Sequence, residues 1–462
     1  MRFDEHFLKD VLPEVILASK VFPEEPCVAV DTRMMQEGDI FVALEGSKHD
    51  GHDFVMQAID KGASGIIIAQ DKKDIIKKLD PIILQKIGVA LVPDTFIALT
   101  QLAAAWRSKF DYPVVALTGS VGKTSTKEII CNILTLHGTE YVSSLGNQNT
   151  AIGLAMNLFK MRAHHKVAIF ELGINKRGEM ARLAQMANPT IALITNVGHA
   201  HMEGLGSLQD IAIEKKDIFK YFSEKSIGIV NGDQSVLSQV SYVHPVIKFG
   251  TKTSNQIQAR KIHISNKHIS FVLKMYKQKY SIILKQTHEG AIFNSLAAAA
   301  VGYLLNVPGE TIARGLAIPV IIAGRFETLP LKKNKGIVIN DCYNANPESM
   351  KSALLAFQQL DTKDQKIAIL GDMLELGVNS PFWHRQLGRF LRKVPSLNHI
   401  ILVGNMVQWT KKTLPFGLTA DIVPTWQEAV KKLEDRLDKE STILVKGSGG
   451  MGLSHIIDLI VE

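Results

Sequence analysis

The sequence of 462 residues contains few cysteines and no long apolar segment. Cys27, Cys131 and Cys342 are widely separated and form no C-x-x-C pair, so we expect neither a disulfide framework nor a zinc site. The apolar runs are shorter than the about 20 residues that a membrane-spanning helix needs, and the N-terminal segment lacks the apolar core of a signal peptide. A cytoplasmic protein without stable membrane association is therefore predicted.

Low-complexity tracts are also absent, and 46% of the residues are hydrophobic, which favours a chain that folds throughout into about three domains. The net charge of +8 is distributed in short runs such as "DKKDIIKKLD" rather than in one block. This balance favours anionic ligands such as nucleotides. Because no motif combines basic and aromatic residues, nucleic acid is not expected as a partner.

Apolar strand-like runs that end in polar or glycine turns recur along the chain and indicate an α/β fold. We predict three domains: a small α/β unit at 1–111, a central unit with a mostly parallel sheet at 112–317, and a Rossmann-like unit at 318–462. Residues 258–284 alternate over shorter stretches and predict an antiparallel hairpin or meander. Four residues that follow strands of the third unit are expected to line one crevice; they are Asp341, Asp372, Lys446 and Ser448.

The segment "VVALTGSVGKTSTKE", residues 114–128, places an apolar strand, a glycine turn and a helix in the order of a phosphate-binding loop. Backbone N–H groups at the helix start and the Lys123 ammonium would bind phosphate, and the Thr124 hydroxyl would reach Mg²⁺. The general pattern has a glycine where this chain has Leu117. A nucleotide site is nevertheless favoured over a structural turn, and its expected contacts are Gly119, Ser120, Val121, Gly122, Lys123, Thr124 and Ser125.

Further candidates follow two other strands and lie in one predicted helix. "IFELG" ends an apolar strand at Glu171, whose carboxylate could hold Mg²⁺. "TNVGHAHMEGLGS" contributes His199 and His201, of which only one need be functional. Lys215 and Lys216 of "IAIEKKDIF" are, from spacing alone, ordinary solvated lysines.

In this order and spacing, these four motifs resemble the central ATPase domain of the Mur ligases, cytoplasmic enzymes of bacterial peptidoglycan precursor synthesis. The shortened G-x-x-G-K-T loop is that family's form. "DTRMMQEGDIFVALEGSKHDGHDF" is similar to the family's N-terminal segment for the uridine nucleotide, and "AGRFE", "NDCYNANPESM", "LGDMLELG" and "VKGS" are similar to its third domain. The resemblance covers essentially the whole chain, and implies a substrate domain, a P-loop ATPase domain and a C-terminal ligase domain.

"YNANP" with "GDMLELG", together with the lack of a "DNPR" motif, most resembles the members that add D-alanyl-D-alanine to UDP-N-acetylmuramoyl-tripeptide. The resemblance implies an ATP- and Mg²⁺-dependent ligase that phosphorylates the tripeptide carboxylate before the amine displaces phosphate. Those two compounds are the implied substrates, and we expect a monomer. The alternatives are a Mur-type ligase for diaminopimelate or lysine, a folylpolyglutamate synthase, and a nucleotide-binding homologue without turnover.

The resemblance also implies roles for particular residues. Lys123 would hold the phosphates, Thr124 and Glu171 one Mg²⁺, and His201 a second Mg²⁺. Lys215 would carry a carbamate derived from CO₂, which turns a cation into an oxygen ligand for metal. The predicted catalytic residues are thus Lys123, Glu171, His201 and Lys215, whereas His199 and Lys216 receive no role.

Binding residues are implied in all three domains. Arg325 is expected at the ATP phosphates, Asp341 at the ribose, and Asn294, just before the alanine-rich helix, near adenine. The residues expected at the substrates are Thr32, Arg33, Gly46 and His52 in the first domain, Asn147 and Asn149 in the second, and Asn344 and Asn346 in the third.

The chain departs from the family pattern at four positions. Gly290 and Ala291 replace a His-Asn pair, Thr150 replaces an asparagine, and Gly449 replaces an arginine. None of these changes removes a metal ligand or the phosphate lysine. We therefore expect an active enzyme in which some binding contacts are substituted.

Overall fold

A computed structural model describes residues 2–239, 241–332, 336–360, 365–437 and 440–461. In these ranges the chain forms three β-sheets in succession, each covered by helices. The predicted architecture of three α/β domains is thereby confirmed. The exact boundaries stay predictions; the strands of the three sheets lie within residues 16–92, 114–284 and 327–446.

The N-terminal sheet is small and mostly parallel. Its elements are the helices α1 (Glu5–Val11), α2 (Val55–Asp60), α3 (Pro81–Leu84) and α4 (Thr95–Arg107), and the strands β1 (Ile16–Lys20), β2 (Val28–Ala29), β3 (Ile40–Val42), β4 (Gly65–Ala69) and β5 (Gly88–Val92). The strand order is β1-β5-β4-β3-β2, and only the β1–β5 pairing is antiparallel among these strands.

Helix α4 joins the N-terminal domain firmly to the central one. It starts where the Asp94 side chain accepts a hydrogen bond from the Ile97 N–H, as an N-cap does. Trp106 is 2% exposed and donates from Nε1 to the Met161 carbonyl. The buried Arg107 guanidinium donates to the carbonyls of Ala187 and Asn188, and one apolar cluster runs through both domains.

The central sheet carries the phosphate loop. Its strands are β6 (Val114–Thr118), β7 (Tyr141–Ser143), β8 (Val167–Glu171), β9 (Ile191–Ile194), β10 (Ile227–Asn231), β11 (Val246–Gly250), β12 (Ile257–Ile264), β13 (Ile269–Met275) and β14 (Gln278–Leu284). Its helices are α5 (Lys123–His137), α6 (Ala151–Leu158), α7 (Glu179–Ala187), α8 (Met202–Leu205), α9 (Leu208–Lys216), α10 (Ser235–Ser238), α11 (Gly290–Leu304) and α12 (Gly309–Leu316).

The strand order of this sheet is β14-β13-β12-β11-β10-β9-β6-β8-β7. The strands are parallel from β7 to β12, while β12, β13 and β14 form the predicted antiparallel meander. After β6 the chain forms β7 and β8 on one side and then β9 on the other side. Ligands bind where the order reverses in this way, so the carboxyl ends of β6, β8 and β9 mark the site.

The prediction that Asn294 precedes the alanine-rich helix is wrong. Helix α11 already begins at Gly290, so Asn294 lies in its second turn. The glycine and the polar residues around it resembled a turn, but burial of the Ala291 and Ile292 side chains extends the helix toward the N-terminus. Tertiary packing has outweighed the low helix propensity of glycine.

The C-terminal sheet has the order β15-β16-β20-β17-β18-β19 and is parallel except at β15. The strands are β15 (Glu327–Pro330), β16 (Ile337–Asp341), β17 (Gln365–Gly371), β18 (His399–Val403), β19 (Thr419–Val423) and β20 (Ser441–Lys446). The helices are α13 (Pro347–Gln359), α14 (Ser380–Phe390), α15 (Val407–Lys411), α16 (Trp426–Glu434) and α17 (Ser454–Ile460). In the described residues we find no helix long and apolar enough to cross a membrane.

Candidate active site

A cavity of about 550 Å³ opens between the central and C-terminal domains at the carboxyl ends of their strands. It brings together most of the residues predicted at the nucleotide and at the reacting groups. The predicted residues that line it are Gly119, Ser120, Val121, Gly122, Lys123, Ser125, Asn149, Glu171, His201, Lys215, Asn294, Arg325, Asp341, Asn344 and Asn346.

The phosphate loop needs glycine at both ends because its backbone is left-handed and crowded there. Gly119 has φ 153° and Gly122 has φ 81°. A Cβ atom at Gly119 would overlap Thr195 Oγ1, and one at Gly122 would overlap Asn294 Oδ1. The shortened loop is therefore fitted against β9 on one side and α11 on the other.

Asn196, which follows β9, binds the backbone of the phosphate loop. Its Oδ1 accepts hydrogen bonds from the N–H groups of Ser120, at 3.1 Å, and of Val121, at 2.9 Å. Thr195 Oγ1 donates to the Val121 carbonyl at 2.7 Å. Asn196 is not among the predicted site residues; the signal that could have identified it is a Thr-Asn pair after a strand that adjoins β6.

The N–H groups left to a ligand are those at the start of α5. The first turn of any helix has donors without an intrahelical partner, and its dipole attracts anions. Lys123, the first residue of α5, folds back so that Nζ donates to the Gly119 carbonyl at 2.8 Å. Burial lowers the pKa of Lys123, while the nearby Glu171 carboxylate raises it. Loop, dipole and ammonium together form a site for phosphate groups.

Glu171 ends β8 as a buried carboxylate, 1% exposed, with neutral hydrogen-bond donors. Thr124 Oγ1 donates to Oε2 at 2.8 Å, and Asn149 Nδ2 donates to Oε1 at 2.8 Å. In the described part of the chain no ion pair reaches this carboxylate at salt-bridge distance. A buried carboxylate without a cationic side chain beside it in the described part of the chain fits a divalent metal ion at a phosphate.

The protein side chains alone do not complete such a metal site. Among the described residues, no three His, Cys, Asp or Glu side chains cluster closely enough to hold an ion. Mg²⁺ is usually bound by one or two carboxylates, with phosphate oxygens and water supplying the rest. Glu171 and Thr124 fit that arrangement, in which the nucleotide contributes the remaining ligands.

Lys215, in α9, is a buried amine without a partner. Its side chain lines the cavity, is 2% exposed, and forms no hydrogen bond or ion pair with the rest of the described chain. Burial, followed by the positive charge of Lys123, holds the pKa of Lys215 well below its ordinary value, although Glu214 opposes this. Spacing alone predicts a solvated lysine, but the fold buries Lys215 in the cavity wall.

Arg325 reaches the loop from the C-terminal side of the cavity. Its Nη2 donates to Thr124 Oγ1 at 2.9 Å, and the guanidinium lies 3.9 Å above the centre of the Tyr343 ring. The Nε–H is buried and has no hydrogen-bond acceptor among the described residues. A buried donor with no partner is costly, so Arg325 is poised to receive an anionic ligand.

The two histidines after β9 both bond to the C-terminal domain. His199 Nδ1 lies 2.5 Å from Glu348 Oε1, and the imidazole packs 4.2 Å from the Trp383 ring. His201 Nδ1 lies 2.5 Å from Glu375 Oε2. His199, to which the sequence analysis assigned no role, therefore helps to hold the two domains together.

Asp341 and Lys446 close the C-terminal wall of the cavity. They end the neighbouring strands β16 and β20, and Lys446 Nζ lies 2.8 Å from Asp341 Oδ2. Lys446 also donates to the Asn344 carbonyl at 3.0 Å.

Asn346 caps α13, where its Oδ1 accepts from the Ser349 N–H at 2.8 Å. The substrate contact predicted for Asn346 stays a prediction.

Asp372 and Ser448, expected in the same crevice, lie outside the cavity lining. The Asp372 carboxylate is 5% exposed and accepts three N–H groups that follow β18, those of Asn405, Met406 and Val407. Ser448 Oγ accepts from the Leu374 N–H. The expectation was wrong because loop hydrogen bonds turn both side chains away from the crevice.

The predicted N-terminal substrate residues do not line this cavity. Thr32 Oγ1 donates to Gln57 Oε1, and Arg33 pairs with Asp31, whose pKa it lowers to about 2. His52 uses both ring nitrogens: Nδ1 bonds Asp50, and Nε2 accepts from the Ala69 N–H. The contacts predicted for Thr32, Arg33, Gly46, His52 and Asn147 stay predictions.

Local reasons for two departures from the family pattern are visible, those at Thr150 and Gly449. Thr150 caps α6, since its Oγ1 accepts from the Gly153 N–H. A Cβ atom at Gly449 would lie 2.9 Å from the Tyr343 carbonyl. Near Gly290, His288 lines the cavity, and burial lowers its pKa. An imidazole is thus present there despite the changed motif.

Known protein families and individual proteins are similar to this chain over most of its length. Three family models match the chain: the catalytic domain of the Mur ligase family at residues 27–107, the Mur ligase middle domain at 117–302, and the Mur ligase glutamate ligase domain at 324–449. A UDP-N-acetylmuramoyl-tripeptide--D-alanyl-D-alanine ligase from Bacillus subtilis is 32% identical over 94% of this chain and 93% of its own length.

Two solved structures have the same three-domain fold. MurF from Acinetobacter baumannii superposes with a TM-score of 0.84 at 26% identity, covering 99% of this chain and 98% of that one. MurF ligase from Thermotoga maritima in complex with ADP superposes with a TM-score of 0.77 at 25% identity, covering 94% and 97%.

Proposed function

This chain belongs to the Mur ligase family, as its motifs predicted, and on that premise we propose that it joins D-alanyl-D-alanine to UDP-N-acetylmuramoyl-tripeptide. It is an ATP-dependent ligase of peptidoglycan precursor synthesis, and its products are the UDP-linked pentapeptide, ADP and phosphate. The observation that carries the proposal is the single cavity at which Lys123, Glu171, His201 and Lys215 meet beside the phosphate loop.

ATP binds with its phosphates at the start of α5. The free N–H groups of the first turn, the Lys123 ammonium and the Arg325 guanidinium surround the γ-phosphate, where charge neutralisation and positioning matter most. Asp341 lies at the end of β16, within reach of the ribose, and Asn294 flanks the loop on the adenine side. The ADP complex of the Thermotoga maritima relative supports this use of the cavity.

The reaction proceeds in two steps. A terminal carboxylate oxygen of the tripeptide attacks the γ-phosphorus, the bond to the ADP oxygen breaks, and an acyl phosphate forms. The amine nitrogen of D-alanyl-D-alanine then attacks the acyl carbon, a proton leaves the nitrogen, and phosphate departs with the electrons of the C–O bond. This chain's residues hold the reacting groups in line and shield them from water.

Glu171 and Thr124 would hold Mg²⁺, which would supply charge neutralisation at the phosphates. We infer that Lys215 carries a carbamate, which would give the cavity a second anionic oxygen ligand, and that His201 provides a nitrogen ligand on the same side. The carbamate inference is supported by the burial of the Lys215 amine in the cavity wall and by the lowering of its pKa, first by burial and then by Lys123, which favours the neutral form that adds CO₂.

The uridine nucleotide is expected at the N-terminal domain, near Thr32 and Arg33, with the peptide directed past Asn149 into the cavity. The dipeptide then enters from the C-terminal side, beside Asn344 and Asn346. We propose that the enzyme works as a monomer in the cytoplasm.

The test is amine-dependent release of phosphate by the purified protein with ATP, Mg²⁺ and UDP-N-acetylmuramoyl-tripeptide. D-alanyl-D-alanine should support release, and the pentapeptide should appear by mass spectrometry. Release of phosphate with diaminopimelate or lysine as the amine, and with a UDP-N-acetylmuramoyl-dipeptide in place of the tripeptide, would identify a related ligase instead. Absence of release with every amine, in a protein that binds ADP, would favour the nucleotide-binding homologue without turnover.

A further inference from the structure

His201 and Glu375 meet across the boundary between the central and C-terminal domains. His201 follows β9 and precedes α8, whereas Glu375 lies in the loop after β17. Their side chains approach to 2.5 Å between Nδ1 and Oε2. The Glu375 carbonyl also accepts the Glu203 N–H at 3.1 Å. Both the side chain and the backbone of Glu375 therefore contact the segment that contains His201 and Glu203.

Both partners have a backbone conformation that is uncommon for residues with a side chain. His201 has φ 58° and Glu375 has φ 61°, in the left-handed region. Such conformations persist only where the surroundings hold them, and they cluster at functional sites. Gly377, with φ 54°, packs beside Glu203 and completes the contact.

The contact determines which nitrogen of His201 carries the proton. An ionised carboxylate can only accept a hydrogen bond, so neutral His201 must hold its hydrogen on Nδ1. Nε2 is then left with its lone pair, and it has no hydrogen-bond partner in the described part of the chain. Because His201 lines the cavity, this is the tautomer that can serve as a ligand there.

We propose that Glu375 is a positioning residue that fixes His201 as a metal ligand only when the C-terminal domain is closed. The proposal rests on the proposed function, since it gives His201 its role in that reaction. Closure would then complete the site, because the domain that brings Arg325 to the phosphate loop also orients His201.

The test compares Mn²⁺ binding by the full-length protein, in the presence of a non-hydrolysable ATP analogue, by electron paramagnetic resonance. Glu375→Ala should weaken the Mn²⁺ site by about 10- to 100-fold, the usual effect of removing a residue that orients a metal ligand. Glu375→Gln keeps an oxygen acceptor for Nδ1–H and should bind Mn²⁺ more tightly than the alanine variant. Unchanged affinity in folded Glu375→Ala would overturn the proposal.

Two further variants separate positioning from general loss of the interface. Glu348→Ala breaks the other histidine contact between the domains, that with His199, and should weaken Mn²⁺ binding less than Glu375→Ala does. When Glu375→Ala is added to His201→Ala, the Mn²⁺ affinity should fall no further, because Glu375 acts on the metal site only through His201. The positioning role of Glu375 would be refuted by equal losses of Mn²⁺ affinity in the two glutamate variants. Additive losses of Mn²⁺ affinity in the double variant would also refute it.

Activity provides a second, separate measurement. Glu375→Ala should lower kcat more than it raises KM for ATP, because phosphate binding by the loop is untouched. If the wild-type protein released no phosphate with any amine, the proposed function would fail, while the Mn²⁺ comparison would still decide the role of Glu375.

Discussion

Arg325 of the C-terminal domain donates from Nη2 to Oγ1 of Thr124 in the phosphate loop, at 2.9 Å. The same hydroxyl donates to Glu171 at 2.8 Å. A residue 201 positions away in the sequence thereby touches the predicted metal-binding pair directly. The site is complete only when the two domains are together, and this dependence gives the first prediction.

Replacement of Arg325 by alanine should lower kcat by about 100-fold, because one charged donor to the transferred phosphate is lost. Arg325→Lys should recover only part of the rate, since an ammonium cannot offer the two-pronged donor of a guanidinium. Steady-state phosphate release measures both. KM for the uridine substrate should change little, and a wild-type kcat in Arg325→Ala would contradict the assignment.

Replacement of Gly122 by alanine should abolish nucleotide binding. The new Cβ would overlap the Asn294 side chain, and φ 81° would itself cost about 1–2 kcal/mol. Gly138 is a matched control, because it has φ 76° but open space around its Cα. Titration with fluorescent ADP should show wild-type affinity in Gly138→Ala and none in Gly122→Ala; equal affinities would exclude the steric argument.

Replacement of Lys215 by alanine should reduce activity by about 100-fold or more, since the proposed carbamate oxygen would be missing. Short carboxylates such as acetate should restore part of the activity by occupying the emptied space. In wild-type protein given ¹³C-bicarbonate, NMR should show a carbamate signal that the alanine variant lacks. Full activity in Lys215→Ala without added carboxylate would refute the carbamate.

His384 should make the C-terminal domain sensitive to acid. It is fully buried, its Nδ1 donates to the Ser380 carbonyl, and its Nε2 accepts from the Met373 N–H. Burial lowers the pKa of His384, partly offset by Asp372. The unfolded chain therefore binds the proton more readily, so stability is fully present above about pH 6.5 and falls as the pH drops below it.

The His384 imidazole alone can change the free energy of unfolding by at most about 1.4 kcal/mol per pH unit. His384→Gln should be less stable near pH 7.5 and should show a shallower loss of stability between about pH 6.5 and 5. Urea unfolding at several pH values measures both effects. His6→Gln, which changes a side chain that is 88% exposed, is the control and should leave the wild-type slope intact. An unaltered slope in His384→Gln would show that other groups dominate.

Much of the fold was predictable because the strands have hydrophobic patterns that can be recognised within a few residues. Buried parallel strands require uninterrupted apolar residues, so β6, β8 and β9 were visible as apolar runs that end in polar turns. The meander of β12, β13 and β14 was visible as alternation. The start of α11 was missed because a glycine beside polar residues carries the signal of a turn, and only packing shows otherwise.

The candidate site was predictable to the extent that each residue lies at the end of its own strand or in its own loop. Glu171 and the phosphate loop were found in this way. Asp372 satisfied the same rule and was misplaced, since hydrogen bonds to the loop after β18 are not encoded near it in the chain. Asn196 was not predicted for a similar reason, because the loop that it bonds lies 75 and 76 residues earlier in the chain.

The sequence by itself determined the strand, the short glycine loop and the helix that bind phosphate, because sterics and backbone hydrogen bonds act over a few residues. Only the tertiary structure decided the state of the charged groups. Lys215 is buried because distant elements exclude water from it, and Nδ1 of His201 meets a carboxylate because Glu375, 174 residues later, faces it. Burial and pairing depend on which elements meet, and that is settled by the packing of whole domains.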